Sequence, residues 1–155
     1  MTVVESILVH LDNAWNHDWD SLQTVLAGLT DAEASWQAPS YAEEGAEAGT
    51  IRWQIAHIAD CKRAYTARIQ GDIAARTPDV PVPASADLAG DLEELRNAHE
   101  AQREAIAGMT DDQMTPVAVD FLANTIRHDI WHAGQIAIAR RLWRTRASPG
   151  QSSYI

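Results

Sequence analysis

A threonine followed three residues later by a glutamate or glutamine recurs at Thr2 and Glu5, Thr30 and Glu33, and Thr110 and Gln113. Each such pair can satisfy two of the backbone N–H groups left bare where a helix begins. Thr50 offers another N-cap, and Thr115 followed by Pro116 offers a cap with proline at the first helical position. The stretches behind these signals are rich in Ala, Leu, Glu, Gln and Arg and hold few β-branched alternations. Strands have no support, and the fold class is all-α.

Helix 1 is expected from Thr2 to about Gly28, because Val4, Leu8, Leu11, Trp15, Leu22, Leu26 and Leu29 return at helical spacing, with Ile7 and Val25 beside them. Thr30 opens a short helical turn that ends before Pro39, and the acidic residues 40–49 form a connector long enough to serve as a functional loop. Helix 2 runs from Thr50 to about Gln70 on a stripe of Ile51, Ile55, Ile58, Tyr65 and Ile69, and stops at Gly71. The proline-rich residues 77–83 cannot continue a helix and read as an extended crossover. Helix 3 follows from about Asp87 to Gly108, with Leu88, Leu92, Leu95, His99, Gln102, Ile106 and Met109 at heptad positions. His99 and Gln102 stand where apolar residues are expected, which marks them as residues near a site or as devices that fix register. The last helix runs from Pro116 to about Trp143. A chain of 155 residues suits one domain, expected over residues 1–147, with an irregular tail over 148–155.

The chemistry concentrates in that last helix. His128 and His132 are four residues apart, so they sit one turn above each other and their imidazoles can converge on one ion. At roughly 100° per residue they share a face with Phe121, Thr125, Gln135, Ile136, Ala139 and Trp143, which points the pair into the core. Buried imidazoles need hydrogen-bond partners or a metal, and the pair alone leaves both readings open. His57 is the candidate third ligand, because it lies with Cys61 along the edge of the helix 2 stripe and a bundle can place it opposite the pair. Cys61 itself reads as a fourth ligand, a redox-sensitive thiol or a small core residue. His99 is a candidate for contact with the ion or with one of its ligands, and Gln135 for orienting a ligand imidazole. His10 and His17, beside Asp18 and Asp20, read as residues at the solvent boundary of helix 1.

A formal net charge of -10 repels phosphate backbones and anionic membranes. The partners expected are therefore a small-molecule substrate, with no nucleic acid and no membrane. Arg140, Arg141, Arg144 and Arg146 are expected to complement the dipole at the end of the last helix. One cysteine excludes an internal disulfide, and no stretch resembles a signal core or a membrane span, so a cytoplasmic location is expected. Ile126, Ile130 and Ala137 lie away from the histidines and suggest a second buried contact, a subunit interface in a homodimer.

His57 within residues 51–59, the pair His128 and His132 trailed by Ala133, Gly134 and Gln135, and the join Gly28, Leu29, Thr30, Asp31, Ala32, Glu33 together resemble the DinB-like superfamily over nearly the whole chain. The resemblance implies a four-helix bundle in up-down-down-up order with a long crossover between helices 2 and 3. It implies a divalent metal held by three histidines that fall by position on His57, His128 and His132, and it implies frequent homodimers; three imidazoles suit zinc, nickel, iron, manganese or copper, and zinc or nickel is the ion expected. It also implies metal-dependent transferases or isomerases that use a low-molecular-weight thiol such as bacillithiol, mycothiol or glutathione. Three neutral imidazoles leave such an ion its full charge and an open position. Arg52, Lys62 and Arg63 are candidate donors for the carboxylates of that thiol.

Two other functions compete. His128, Asp129 and His132 are spaced like a His-Glu-x-x-His zinc hydrolase motif, with Asp129 in the place of the general-base glutamate and one methylene shorter. Asp129 also lies about 100° around the helix from His128, which fits a surface position or a contact with a ligand equally well. The remaining reading is a bundle without turnover that serves as a binding or stress-response protein and presents an exposed apolar patch.

Overall fold

The computed structural model describes residues 1–37, 49–79 and 86–146, and within them the chain is all helical. Among the described residues the helices are α1 (Val3–Asn16), α2 (Leu22–Leu26), α3 (Asp31–Ala34), α4 (Ile51–Ile69), α5 (Leu88–Ala107) and α6 (Pro116–Arg146), with a 3₁₀ turn at Asp111–Gln113. The short turn behind Thr30 ends at Ala34, before Pro39 as expected, whereas most of the acidic connector, the later part of the proline-rich crossover and the tail over 148–155 lie outside the described residues. Among the described residues, no helix is long and apolar enough to cross a membrane.

The caps form where the sequence placed them, with one revision. Thr2 Oγ1 accepts from Glu5 N at 3.1 Å while the Glu5 carboxylate accepts from Thr2 N at 2.7 Å, closing the first box. Thr50 Oγ1 accepts from Trp53 N at 3.0 Å, and Thr115 Oγ1 from Ala118 N at 3.2 Å. Gly71 ends α4 at φ +106°, a left-handed backbone that suits glycine. At Thr30 only half a box exists. Thr30 Oγ1 accepts from Glu33 N at 3.3 Å, but the Glu33 carboxylate turns inward to meet Arg140 Nε at 2.8 Å.

Helix 1 does not run unbroken to Gly28. It stops at Asn16, and a new helix starts behind Ser21, whose side chain accepts from Thr24 N. The His17 carbonyl takes hydrogen bonds from both Ser21 Oγ and Thr24 Oγ1, each at 2.8 Å. Asn16, His17, Asp18 and Ser21 all favour caps and turns over helix interiors. The apolar spacing resumes at Leu22 because α2 turns Leu22 and Leu26 into a cluster that Trp15 of α1 also touches, and so the periodicity alone hides the break.

Two apolar clusters hold the helices. One joins Leu22 and Leu26 with Ile55 and Ile58 of α4, Leu95 of α5 and Ile136 of α6. The other joins Ile7, Leu11 and Ala14 of α1 with Ile106 of α5 and with Leu122 and Ile126 of α6. Ile126 is therefore core, which corrects its assignment to a subunit interface; Ile130 and Ala137 are exposed as expected. In chain order along α4, α5 and α6, a polar layer falls between the clusters. Lys62 and Asp129, each 1% exposed, meet there at 2.5 Å, and Lys62 Nζ also donates to Gln102 Oε1 at 3.1 Å. Trp15 of α1 stacks on His99 with ring centroids 4.0 Å apart.

Arg140 also departs from expectation. It is buried, pairs with Glu33 through two nitrogens, and donates to the carbonyls of Val25 at 2.6 Å and Ala27 at 2.8 Å. It thus ties α2, α3 and α6 together rather than serving a helix dipole at the surface. Replacing Arg140 with alanine strands a buried carboxylate and two carbonyls, so urea unfolding should show a loss of about 3–5 kcal/mol. Arg144→Ala, at an exposed site, should stay within about 0.5 kcal/mol.

Candidate metal centre

α4 and α6 bring the three expected histidines together. One ring nitrogen from each of His57, His128 and His132 lies within 4.8 Å of the others. His57 Nε2 and His128 Nε2 are 3.3 Å apart, about the spacing of two nitrogens each roughly 2.0–2.1 Å from one tetrahedral ion. His132 is buried and the other two are half-buried. The cluster therefore sits at the wall of the bundle with one side toward solvent.

The protonation states suit ligands. Burial lowers the pKa of His57 against the opposing pull of Asp60. His128 is lowered to about 4 by burial and by the neighbouring His57 and Lys62, and His132 to about 3 by burial and by the other two imidazoles. All three are neutral near pH 7 and carry a lone pair. His132 Nδ1 lies 3.3 Å from Gln54 Oε1. An amide oxygen can only accept, so Nδ1 holds the proton and Nε2 keeps the lone pair for an ion. Gln135 also hydrogen-bonds His132, as its place one turn beyond the pair anticipates. Trp53 stacks on His57 at 5.1 Å between centroids, and Tyr65 meets His128 edge-on at 6.0 Å. These rings restrict the imidazoles to the orientation in which their nitrogens converge.

Cys61 stands beside the cluster, its Sγ 3.5 Å from His57 Nε2 and 3.7 Å from His128 Nε2. Thr77 Oγ1 donates to it at 3.5 Å, and burial pushes its pKa up. The grouping of convergent donors comprises the three imidazoles without it.

Several sequence candidates fall elsewhere. Asp129 is not at the surface and is not poised as a base: it is buried against Lys62 in the polar layer, where burial pushes its pKa up and the Lys62 ammonium opposes the shift. His99 belongs to the same layer, stacked on Trp15, with burial and then Lys62 and Arg103 lowering its pKa to about 3. Lys62 is likewise unavailable to a cofactor. Arg52 pairs with Asp91 at 2.6 Å, and Arg63 with Asp60 and Glu94. His10 and His17 are exposed, and His17 Nδ1 meets Asp20 at 3.0 Å. Sequence reading missed Gln54 and Trp53, although both lie one turn before His57 on α4 and could have been found by that spacing.

A family model described as DinB superfamily matches residues 14–139, and the chain belongs to that superfamily. Comparison with curated proteins and with solved structures returned no match.

The lowered histidines make stability depend on pH with a definite sign. Above about pH 7 they are neutral in folded and unfolded chains alike, and their contribution is complete. As pH falls through 6.5 the unfolded chain takes up protons that buried His99 and His132 refuse until about pH 3. Metal-free protein should therefore lose up to about 1.4 kcal/mol per pH unit for each such group between those limits. Urea midpoints measured from pH 7.5 to 4.5 should fall less steeply for His99→Phe, which keeps the stack on Trp15 and removes the titrating ring. An unchanged slope would mean that His99 titrates alike in both states.

Proposed function

Starting from membership of the DinB superfamily and the convergence of three neutral imidazoles, we propose that the protein holds a divalent metal ion through His57, His128 and His132. We infer further that it uses the ion to activate a low-molecular-weight thiol for transfer or isomerisation. The observation that carries the metal reading is the 3.3 Å separation of His57 Nε2 and His128 Nε2 in a cluster closed by His132. A bound divalent ion with an open position lowers the pKa of a thiol placed there.

The chain's own residues do the positioning. Gln54 and Gln135 hold His132 in the tautomer that leaves Nε2 free, Trp53 and Tyr65 confine the other two rings, and the solvent side of the cluster admits a second molecule. Hydrolysis through Asp129 has less support, because Lys62 and the surrounding burial hold that carboxylate in the polar layer. Zinc and nickel are the ions proposed, from among those that imidazole donors suit.

The up-down-down-up order has support from residue pairings. Arg52 with Asp91 and Lys62 with Gln102 rise together along α4 and α5, whereas Gln54 with His132 and Tyr65 with Phe121 run oppositely along α4 and α6. A homodimer through the exposed Ile130, Trp131, Ile138 and Leu142 of α6 completes the proposal. Trp131→Glu with Ile138→Glu should convert a dimer to a monomer in sedimentation velocity, and a wild-type monomer would remove this part.

Elemental analysis of protein purified without a nickel column tests the metal centre. Wild type should carry about one divalent ion per chain, and His57→Ala or His128→Ala with His132→Ala should abolish it. Gln54→Leu should weaken metal affinity by about 10–100-fold while leaving the fold intact. Wild type that takes up no ion after incubation with zinc, nickel, manganese or iron would overturn the proposal.

A further inference from the structure

A cleft of about 530 Å³ lies between the end of α4, the segment after Gly71 and the first turns of α6. Its floor is apolar, from Ile69, Met109, Phe121 and Leu122. Its lips carry Ile73 and Val117, which are 84% and 81% exposed and so offer apolar surface to whatever enters.

Arg68 and Arg76 also line this cleft. Arg68 Nε donates to the Ala75 carbonyl at 2.8 Å, and Arg76 Nη1 donates to the carbonyls of Ile73 and Ala75, both at 3.0 Å. Among the described residues neither guanidinium stands in an ion pair, although the chain carries 22 acidic side chains against 12 basic ones. Arg52, Lys62, Arg63, Arg103 and Arg140 are each matched to a carboxylate. In the cleft, backbone carbonyls hold two guanidinium groups in place and leave N–H donors that a planar carboxylate can bridge.

Two ring contacts link the wall of the cleft to the histidines. The Phe121 ring meets Tyr65 at 5.7 Å, and Tyr65 meets His128 at 6.0 Å. Thr77, next in sequence to Arg76, donates to the Cys61 thiol beside His57 and His128. Phe121 lies seven positions before His128 on α6, about 10 Å by helical rise, and Arg68 lies eleven positions beyond His57 on α4, about 16 Å.

We propose that this cleft binds a small molecule that combines a carboxylate with an apolar body, with Arg68 and Arg76 holding the carboxylate and the Phe121 floor directing the other end toward the three histidines. The reacting end rests on the metal reading above; the binding of the carboxylate does not.

Phe121 is the only phenylalanine in the chain, so protein labelled with ¹⁵N-phenylalanine has one backbone NMR signal in the cleft. Titration with octanoate should shift that signal saturably, and octanamide should bind at least tenfold more weakly. Arg76→Gln, a change at an exposed side chain, and Arg68→Gln should each weaken octanoate at least fivefold and leave octanamide unchanged. Equal binding of acid and amide, indifference to both arginine variants, or no shift of the Phe121 signal would each overturn the proposal. Repeating the titration after chelation separates the two readings: octanoate bound by protein that takes up no metal leaves the cleft standing and removes the metal centre, and a metal-loaded protein blind to octanoate does the reverse.

Discussion

The Lys62 and Asp129 pair is the constraint on which the remainder of the structure depends. Removing an ammonium and a carboxylate from water costs several kcal/mol per ion, and only close mutual contact with further hydrogen bonds offsets it. Here the contact is 2.5 Å, and Gln102 Oε1 accepts a second bond from the same ammonium. An apolar layer would tolerate sliding of α4 along α6; a buried ion pair does not, because a slip of one turn leaves both charges unpaired. Lys62 follows Cys61 and Asp129 follows His128 in sequence. The register that satisfies the pair is thus the register that sets His57 opposite His128.

The layer and the histidine cluster beside it are not completely satisfied. Among the described residues, His99 Nδ1, Gln102 Nε2 and His128 Nδ1 are buried without a hydrogen-bond partner. Such groups carry a desolvation cost of about 1–3 kcal/mol each. The two apolar clusters on either side, one around Ile55, Ile58 and Ile136 and the other around Leu11, Ile106 and Leu122, supply the burial that sustains a polar layer of this kind. Arg140 repeats the same logic at the far end of α6, where its guanidinium satisfies Glu33 and two carbonyls of the short helices. Charge inside this bundle is used to lock positions.

Much was legible without coordinates. The Thr caps, the glycine stop at Gly71 and the 3.6-residue apolar spacing act within a few residues of one another, so they announce helices directly, and the four-residue spacing of His128 and His132 places both on one face of one helix. His57 could be named from its edge position and the family resemblance. The break after Asn16 escaped because an apolar stripe reports only which residues turn inward, and both sides of the break do so: Ile7, Leu11 and Ala14 into one cluster, Leu22 and Leu26 into the other, which Trp15 also touches. Asp129 was misplaced for a related reason: its angle on the helix says that it leaves the histidine face, and only the packing of α4 and α5 shows that a lysine waits there.

The local chemistry of the chain by itself determined the all-α class, the helix starts at Thr2, Thr50 and Thr115, the stop at Gly71, and the set of imidazoles that can meet, because these follow from backbone capping and periodicity over short spans. Tertiary structure decided which polar residues pair across helices: Lys62 with Asp129, Arg140 with Glu33, Gln54 with His132. Each pairing joins residues between 67 and 107 positions apart. Whether a charge is a surface group, an internal lock or an empty-handed donor in a cleft depends on which partner the fold brings within about 3 Å, and helical spacing within one segment carries no information about that distance.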